Sequence, residues 1–131
     1  MIVTSFVLST LPFVLAGVSP DLFSSLIAEK SLATFNALPS PIEYPQYTEI
    51  TGEWMYFTSN TWTSAFFPSS LYLLNTRAKL CGATASNGLR TADWLDLARS
   101  ASTPLLGLNA SAGIGHDVGF ISEAFVAELA V

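Results

Sequence analysis

An apolar segment between residues 63 and 82 constrains the fold of this chain more than any other part of the sequence. It is predicted as a helix that begins near Thr63 or Pro68 and ends by Gly82. Apolar side chains occur on nearly every side of it, at Phe66, Phe67, Leu71, Tyr72, Leu73 and Leu74. A helix that is apolar all round is normally buried on more than one side. The sequence therefore predicts a fold in which other helices surround this one.

Three further helices are predicted around this segment. Apolar residues recur at helical spacing from residue 21 to residue 38, and Pro39 ends that helix. Thr91 or Asp93 caps a third helix, and a final helix opens near Asp117. Together these segments indicate two successive helical hairpins and an all-α fold.

Residues 39–60 are predicted as a loop between the first two helices. Prolines and a glycine interrupt this segment, and no stretch of it alternates apolar and polar side chains as a half-buried strand does. Aromatic residues lie between the interruptions, at Tyr44, Tyr47, Trp54, Tyr56 and Phe57. Such rings either form the wall of a binding site or pack on the domain.

Residues 1–19 have the pattern of a secretory signal peptide. They contain no charged side chain, and small residues surround two candidate cleavage points, after Ala16 and after Ser19. A bilayer-spanning helix needs roughly 20 apolar residues, whereas this run is shorter and contains Pro12. The prediction is a secreted domain over residues 20–131 that has no membrane contact after cleavage. A buried helix and a membrane anchor are the alternatives.

The charge of the chain argues against a nucleic-acid-binding function. Ten acidic and five basic residues give a formal net charge of −5, whereas a nucleic-acid surface needs clustered lysine and arginine. Cys81 is the only cysteine and forms no internal disulfide, so stability must come from an apolar core. One histidine without an acidic cluster does not indicate a metal site.

Two short motifs carry the groups that are suited to chemistry. Residues 60–68 contain Trp62, whose indole could stack on a sugar ring, and residues 115–120 place the only histidine, His116, beside Asp117. Taken separately, each motif has a structural interpretation, with Trp62 in an aromatic core and Asp117 as a helix cap. No nucleophile elbow accompanies His116, so a Ser-His-Asp or Cys-His system is not indicated.

The two motifs together resemble glycoside hydrolase family 88, the unsaturated glucuronyl hydrolases. The shared order is Trp-Thr-x-x-Phe-aromatic-Pro over residues 62–68, an apolar helix, a further helix, and His-Asp-aliphatic-Gly-Phe over residues 116–120. The resemblance covers about residues 60–131. Two positions depart from the family, which commonly has Gly in place of Ala65 and often Trp in place of Phe67.

The resemblance implies a fold and a reaction. The family folds as an (α/α)6 barrel of helical hairpins, and this chain would form its N-terminal portion. Its members hydrate the C4=C5 double bond of a terminal unsaturated uronic acid in the oligosaccharides that polysaccharide lyases produce. The resemblance assigns Asp117 as a catalytic carboxylate, Trp62 as the ring that stacks on the unsaturated sugar, and His116 and Phe66 as further substrate-binding residues. It implies no metal and no cofactor.

One part of the family's machinery is not found in this sequence. A helix N-terminus stabilises an ionised carboxylate, so Asp117 needs a neighbouring carboxylate or a desolvated pocket for proton donation, and the sequence indicates neither. The family places that second aspartate one hairpin further on, beyond Val131. We therefore expect an inactive fragment with exposed apolar surface, since each unburied Leu or Phe forfeits roughly 1.5–3 kcal/mol. The alternative is a small secreted helical module that binds carbohydrate or protein through the aromatic segment 44–62.

Overall fold

The fold is mostly helical, as predicted. The structure, a computed structural model, describes residues 19, 24–108 and 113–131, so the predicted signal peptide lies outside the described residues apart from Ser19. The helices are α1 (Leu26–Asn36), α2 (Phe66–Cys81), α3 (Trp94–Ser102), α4 (Val118–Ile121) and α5 (Glu123–Leu129), and the strands are β1 (Tyr44–Thr48) and β2 (Trp54–Phe57). None of the helices in these ranges is long and apolar enough to cross a membrane.

The all-α prediction is wrong for residues 39–60, which contain a β-hairpin instead of a continuous loop. Strands β1 and β2 pair antiparallel, with Tyr44 opposite Phe57 and Thr48 opposite Trp54. Aromatic side chains favour strands because they fit a pleated, half-buried surface. Aromatic residues of this segment therefore form part of the sheet, in addition to any role in binding at the surface.

The sequence of the hairpin shows no alternation of apolar and polar side chains, because few of its residues are buried. Tyr44 is the only strand residue that is fully buried, and the register shifts between Pro45 and Tyr47. Proline has no N–H to donate to the strand pairing. The backbone N–H of Glu49 donates to the Glu53 carbonyl at 2.9 Å and closes the turn. A short strand with one buried residue carries no period-2 pattern.

Helix α2 lies at the centre of the helical packing. It contacts α1, α3 and α5 and buries Pro68, Ser69, Leu71, Tyr72 and Leu74. Leu73 and Leu80 are strongly exposed, and Phe66 is partly exposed. Within the described part of the chain, neighbouring helices therefore cover α2 only in part.

Helix α1 falls within the predicted segment 21–38, and its first turn lies against the turn that contains Gly88. A Cβ atom on Gly88 would lie 3.1 Å from the Ser25 carbonyl oxygen and 3.2 Å from the Ala28 Cβ. The backbone of Gly88 also has a φ of +71°, which side chains other than that of glycine rarely accept. Glycine at this position permits the close approach that seats α1.

Helix α3 begins where the sequence predicts, with Asp93 as its N-cap. The Asp93 carboxylate accepts a hydrogen bond from the backbone N–H of Asp96 at 3.1 Å. Trp94, the first residue of the helix, is buried and donates its indole N–H to the Leu89 carbonyl at 2.9 Å. Both contacts join residues no more than five positions apart in the sequence, so local sequence is sufficient to define the start of the helix.

Two sets of side-chain contacts join separate elements. The Tyr44 hydroxyl in β1 donates to the Ala101 carbonyl in α3 at 2.7 Å, and burial raises the pKa of Tyr44 well above its usual value. On α3, Arg99 pairs with Glu128 on α5, with 2.6 Å between Nη2 and Oε1. The Tyr72 hydroxyl on α2 donates to the same Glu128 at 2.8 Å. The hairpin and three helices therefore share one packed unit.

The Tyr44–Ala101 hydrogen bond should stabilise the fold measurably. Tyr44→Phe keeps the ring and leaves the Ala101 carbonyl without this donor, so the free energy of unfolding should fall by about 1–3 kcal/mol. Tyr47→Phe is the matched control, because Tyr47 lies on the same strand and is exposed, and its effect should stay within about 0.5 kcal/mol. Urea denaturation followed by circular dichroism measures both. Equal effects would show that Tyr44 does not anchor the hairpin.

The contacts of Glu128 should make stability depend on pH in the acidic range. A hydrogen bond from Arg99, and a weaker contribution from the Tyr72 hydrogen bond, hold the pKa of Glu128 below its usual value. A lowered folded-state pKa stabilises the fold above the unfolded pKa of about 4, and this contribution is lost as the pH falls through the folded value. Glu128→Gln should therefore lower the thermal unfolding midpoint at neutral pH, and the difference from the parent protein should vanish towards about pH 2.

Glu123→Gln is the control for that experiment, because Glu123 lies on the same helix and forms no ion pair with the described residues. Its midpoint should follow the parent protein at every pH. A Glu128→Gln difference that persisted at low pH would contradict the ionic origin of the effect.

Candidate functional site

Three aromatic rings from the two motifs form an exposed group, which we call the aromatic cluster. The ring centroid of Trp62 lies 5.6 Å from that of Phe66 and 5.9 Å from that of Phe120, and Phe66 lies 6.2 Å from Phe120. All three pairs meet edge to face, an arrangement that the quadrupoles of aromatic rings favour. Each residue is between 39% and 48% exposed. The motifs therefore meet in the folded chain and leave ring surface open to a ligand.

The turn before α2 places Trp62 beside Phe66. The backbone N–H groups of Ser64 and Phe66 donate to the carbonyls of Thr61 and Thr63 at 3.1 and 3.0 Å, so the chain coils before the α-helix begins. Side chains four residues apart lie on the same side of such a coil. The structure thus brings together the two aromatic residues that the sequence assigns to substrate binding.

The hydroxyl groups next to Trp62 are buried. Thr63 and Ser64 are 8% and 0% exposed, and neither hydroxyl oxygen has a hydrogen-bond partner among the described residues. Buried hydroxyls normally find a partner. The polar partners of a ligand on the exposed rings must therefore come from other side chains.

Phe120 belongs to the cluster, although it was not among the site residues predicted from the sequence. It lies in α4, three residues after Asp117, and side chains three residues apart share one side of a helix. Helix α4 buries Ile121 and leaves Phe120 exposed. The three-residue spacing from Asp117 was the signal that could have identified Phe120.

His116 and Asp117 form a pair at the start of α4. The Nε2 atom of His116 lies 3.2 Å from Oδ1 of Asp117, and the two side chains are 94% and 31% exposed. Asp117 occupies the N-cap position of α4, but its carboxylate accepts no capping hydrogen bond from the helix. The helix-cap interpretation of the side chain is therefore wrong. The carboxylate keeps lone pairs that can serve a ligand or a proton transfer.

An open cavity of about 560 Å³ lies beside Phe120. Its lining residues are His116, Gly119, Phe120, Glu123 and Val126, and their spacing places them along one side of α4 and α5. A cavity of this size is within the range of ligand sites. Glu123 brings a second carboxylate to the surroundings of the motif, about two helical turns from His116, and it was not among the site residues predicted from the sequence.

The groups gathered here suit stacking, hydrogen bonding and proton transfer. The Glu123 carboxylate and the His116 imidazole line the cavity together with the Phe120 ring, whereas Asp117 is not one of its lining residues and contacts His116 instead. A carboxylate, an imidazole and an aromatic ring are groups that a sugar ligand with ring hydroxyls can use. Within the described ranges, no group of three or more His, Cys, Asp or Glu side chains is placed to hold a metal ion.

Comparisons of the sequence with protein-family models and with curated proteins, and of the structure with solved structures, found no match. The resemblance to glycoside hydrolase family 88 therefore depends on the two motifs. The contact between Trp62 and Phe120 adds a spatial relation between them.

Proposed function

We propose that this chain forms part of the substrate site of a secreted protein similar to unsaturated glucuronyl hydrolases, within the N-terminal portion of an (α/α)6 barrel. The contact between Trp62 and Phe120 carries the proposal. It joins two motifs that are far apart in the sequence. Because Phe120 follows Asp117 by about one helical turn, a sugar that rests on the aromatic cluster lies near the carboxylate that the resemblance assigns to catalysis.

The reaction adds water across a double bond of the sugar. A proton is delivered to C4 of the unsaturated uronic acid and the oxygen of water bonds to C5, which gives a hemiketal. The hemiketal opens, and the glycosidic oxygen leaves with a proton as a hydroxyl group of the next sugar. A ring stacked on Trp62 would be held for both steps, and Asp117 would take one of the two proton-transfer roles.

A second carboxylate is needed for the other proton-transfer role. The family supplies it from an inner helix one hairpin further on. Among the described residues, Glu123 is the carboxylate that lines the cavity beside Phe120. We therefore expect Glu123 to face the same ligand, and the family's second aspartate to remain necessary for turnover.

Exposed apolar side chains support the barrel assignment. Leu73 and Leu80 on α2, and Val126 and Leu129 on α5, are each at least 66% exposed. An (α/α)6 barrel packs its inner helices against the next hairpins, and such packing would cover side chains of this kind.

The contacts that link the hairpin to the helices favour a second candidate function. Tyr44 binds α3, and Glu128 binds both Arg99 and Tyr72. These contacts, of which only the Tyr44–Ala101 hydrogen bond is buried, join the hairpin to α3 and join α5 to α2 and α3. Links between separate elements are what a module that folds alone requires. A small secreted module that binds carbohydrate through its exposed rings is therefore the alternative.

Size-exclusion chromatography and thermal unfolding of residues 20–131 separate these two candidates. A portion of a barrel should associate or precipitate through its exposed leucines and unfold without a sharp transition. Replacing Leu73 and Leu80 by glutamine should then reduce the association, because both side chains are exposed. If the parent protein, without these substitutions, were a monomer that unfolds cooperatively, the result would favour the module.

Binding of an unsaturated glucuronyl disaccharide tests the proposed site directly. Trp62→Ala should weaken binding by about tenfold, since loss of a ring stack removes roughly 1 kcal/mol or more. Asp117→Asn should bind at least as tightly as the parent protein, because it removes a carboxylate that repels the uronate. Isothermal titration calorimetry measures both, and Tyr47→Ala is the control as an exposed ring outside the cluster.

Two outcomes would contradict the proposal. Equal binding by the Trp62→Ala and Tyr47→Ala variants would show that the cluster does not hold the sugar. Hydration of the disaccharide can be monitored as the loss of the ultraviolet absorbance of its double bond. If the chain alone hydrated the disaccharide at the rate of a complete enzyme, no second aspartate would be needed.

A further inference from the structure

A groove runs between α1, the β-hairpin and the start of α2, and it shares only Phe66 with the aromatic cluster. Two open cavities of about 290 and 460 Å³ form it, and Lys30, Thr34 and Trp54 line both. Ser31, Phe66 and Ser70 line the first of them as well. We call these six residues the Trp54 groove.

Trp54 gives the groove an aromatic platform. Its side chain is 43% exposed although it lies in a paired strand, where it stands opposite Thr48. An exposed indole in a concave site offers a face on which a sugar ring can rest, because the apolar face of the sugar then leaves water.

The serine hydroxyls that line the groove are arranged as hydrogen-bond acceptors. The Ser31 hydroxyl donates to the Ile27 carbonyl and the Ser70 hydroxyl donates to the Phe66 carbonyl, each at 2.8 Å. Each hydroxyl has one hydrogen and two lone pairs. Since the hydrogens are already committed to α1 and α2, the oxygens present lone pairs that suit a ligand rich in O–H donors, as a sugar is.

Lys30 gives the groove a positive charge. It is the only charged residue among the described residues that line the two cavities, although the chain contains ten acidic residues. Lys30 is exposed and forms no ion pair within the described ranges. A carboxylate on the ligand would complement this ammonium group, and a charge-assisted hydrogen bond would orient it.

Phe66 connects the groove with the aromatic cluster. It lines the first cavity and contacts both Trp62 and Phe120. We infer that the Trp54 groove is a second sugar-binding site, which takes an acidic sugar further along the oligosaccharide whose end lies on the aromatic cluster. Trp54 stacks on that sugar, Lys30 pairs with its carboxylate, and the serine oxygens accept from its hydroxyls. The inference rests on the proposed function, since one chain of sugars spans both sites.

A saturated tetrasaccharide of glucuronic acid tests the groove without the unsaturated end, and a glucose tetrasaccharide is its neutral counterpart. The parent protein should bind the acidic compound about tenfold more tightly, as expected for one hydrogen bond to a charged group. Lys30→Gln should remove this preference, and Trp54→Ala should weaken the binding of both compounds by about tenfold. Lys79→Gln is the matched control, because Lys79 is an exposed lysine in the last turn of α2.

Salt and the unsaturated disaccharide complete the experiment. Added salt should weaken acidic binding by the parent protein relative to that by Lys30→Gln, because salt screens the Lys30 ion pair in the parent alone, whereas the long-range repulsion from the net negative charge is common to both proteins. Both groove variants should bind the unsaturated disaccharide as the parent does, which would show that they are folded. If Lys30→Gln and Trp54→Ala bound the acidic tetrasaccharide as Lys79→Gln does, or if the parent did not bind it, the inference would be overturned. If binding of the unsaturated disaccharide did not depend on Trp62, the proposed function would be overturned instead.

Discussion

The burial of α2 is the constraint on which the other elements depend. This helix packs against α1, α3 and α5, and its own first residue, Phe66, belongs to the aromatic cluster. Its Tyr72 binds Glu128 of α5, and α5 directly follows the short helix that carries Phe120. The separation of Phe66 from Phe120 is thus determined by core packing. A site built on packed helices holds its geometry better than one built on free loops.

Local signals in the sequence predicted those parts of the fold that depend on near neighbours. Asp93 caps α3 through an N–H only three residues away, and α2 lies within its predicted bounds. The hairpin depends instead on distant contacts. Tyr44 donates a hydrogen bond to Ala101 on α3, and the residues near Tyr44 in the sequence do not indicate this distant partner. Prediction from periodicity fails where a strand is held by one buried residue rather than by a buried face.

The candidate site was predictable to a similar degree. Trp62 and Phe66 lie four residues apart, so their meeting follows from the helical spacing at the start of α2. The contact of Trp62 with Phe120 needs the tertiary fold, and only the order of the motifs hinted at it. The side chain of Asp117 could not be placed from sequence, because aspartates before helices usually cap them. In the structure it pairs with His116 instead.

The charge of the chain bears on how both sites would work. A net charge of −5 repels an acidic oligosaccharide at long range, so affinity must come from contacts made within the site. Not every cation is free for that purpose, since Arg99 is held by Glu128. Lys30 lies instead among hydroxyl groups and an exposed indole. A single well-placed ammonium group can select an acidic sugar on a protein whose overall charge opposes its approach, provided that stacking on Trp54 and Trp62 supplies most of the binding energy.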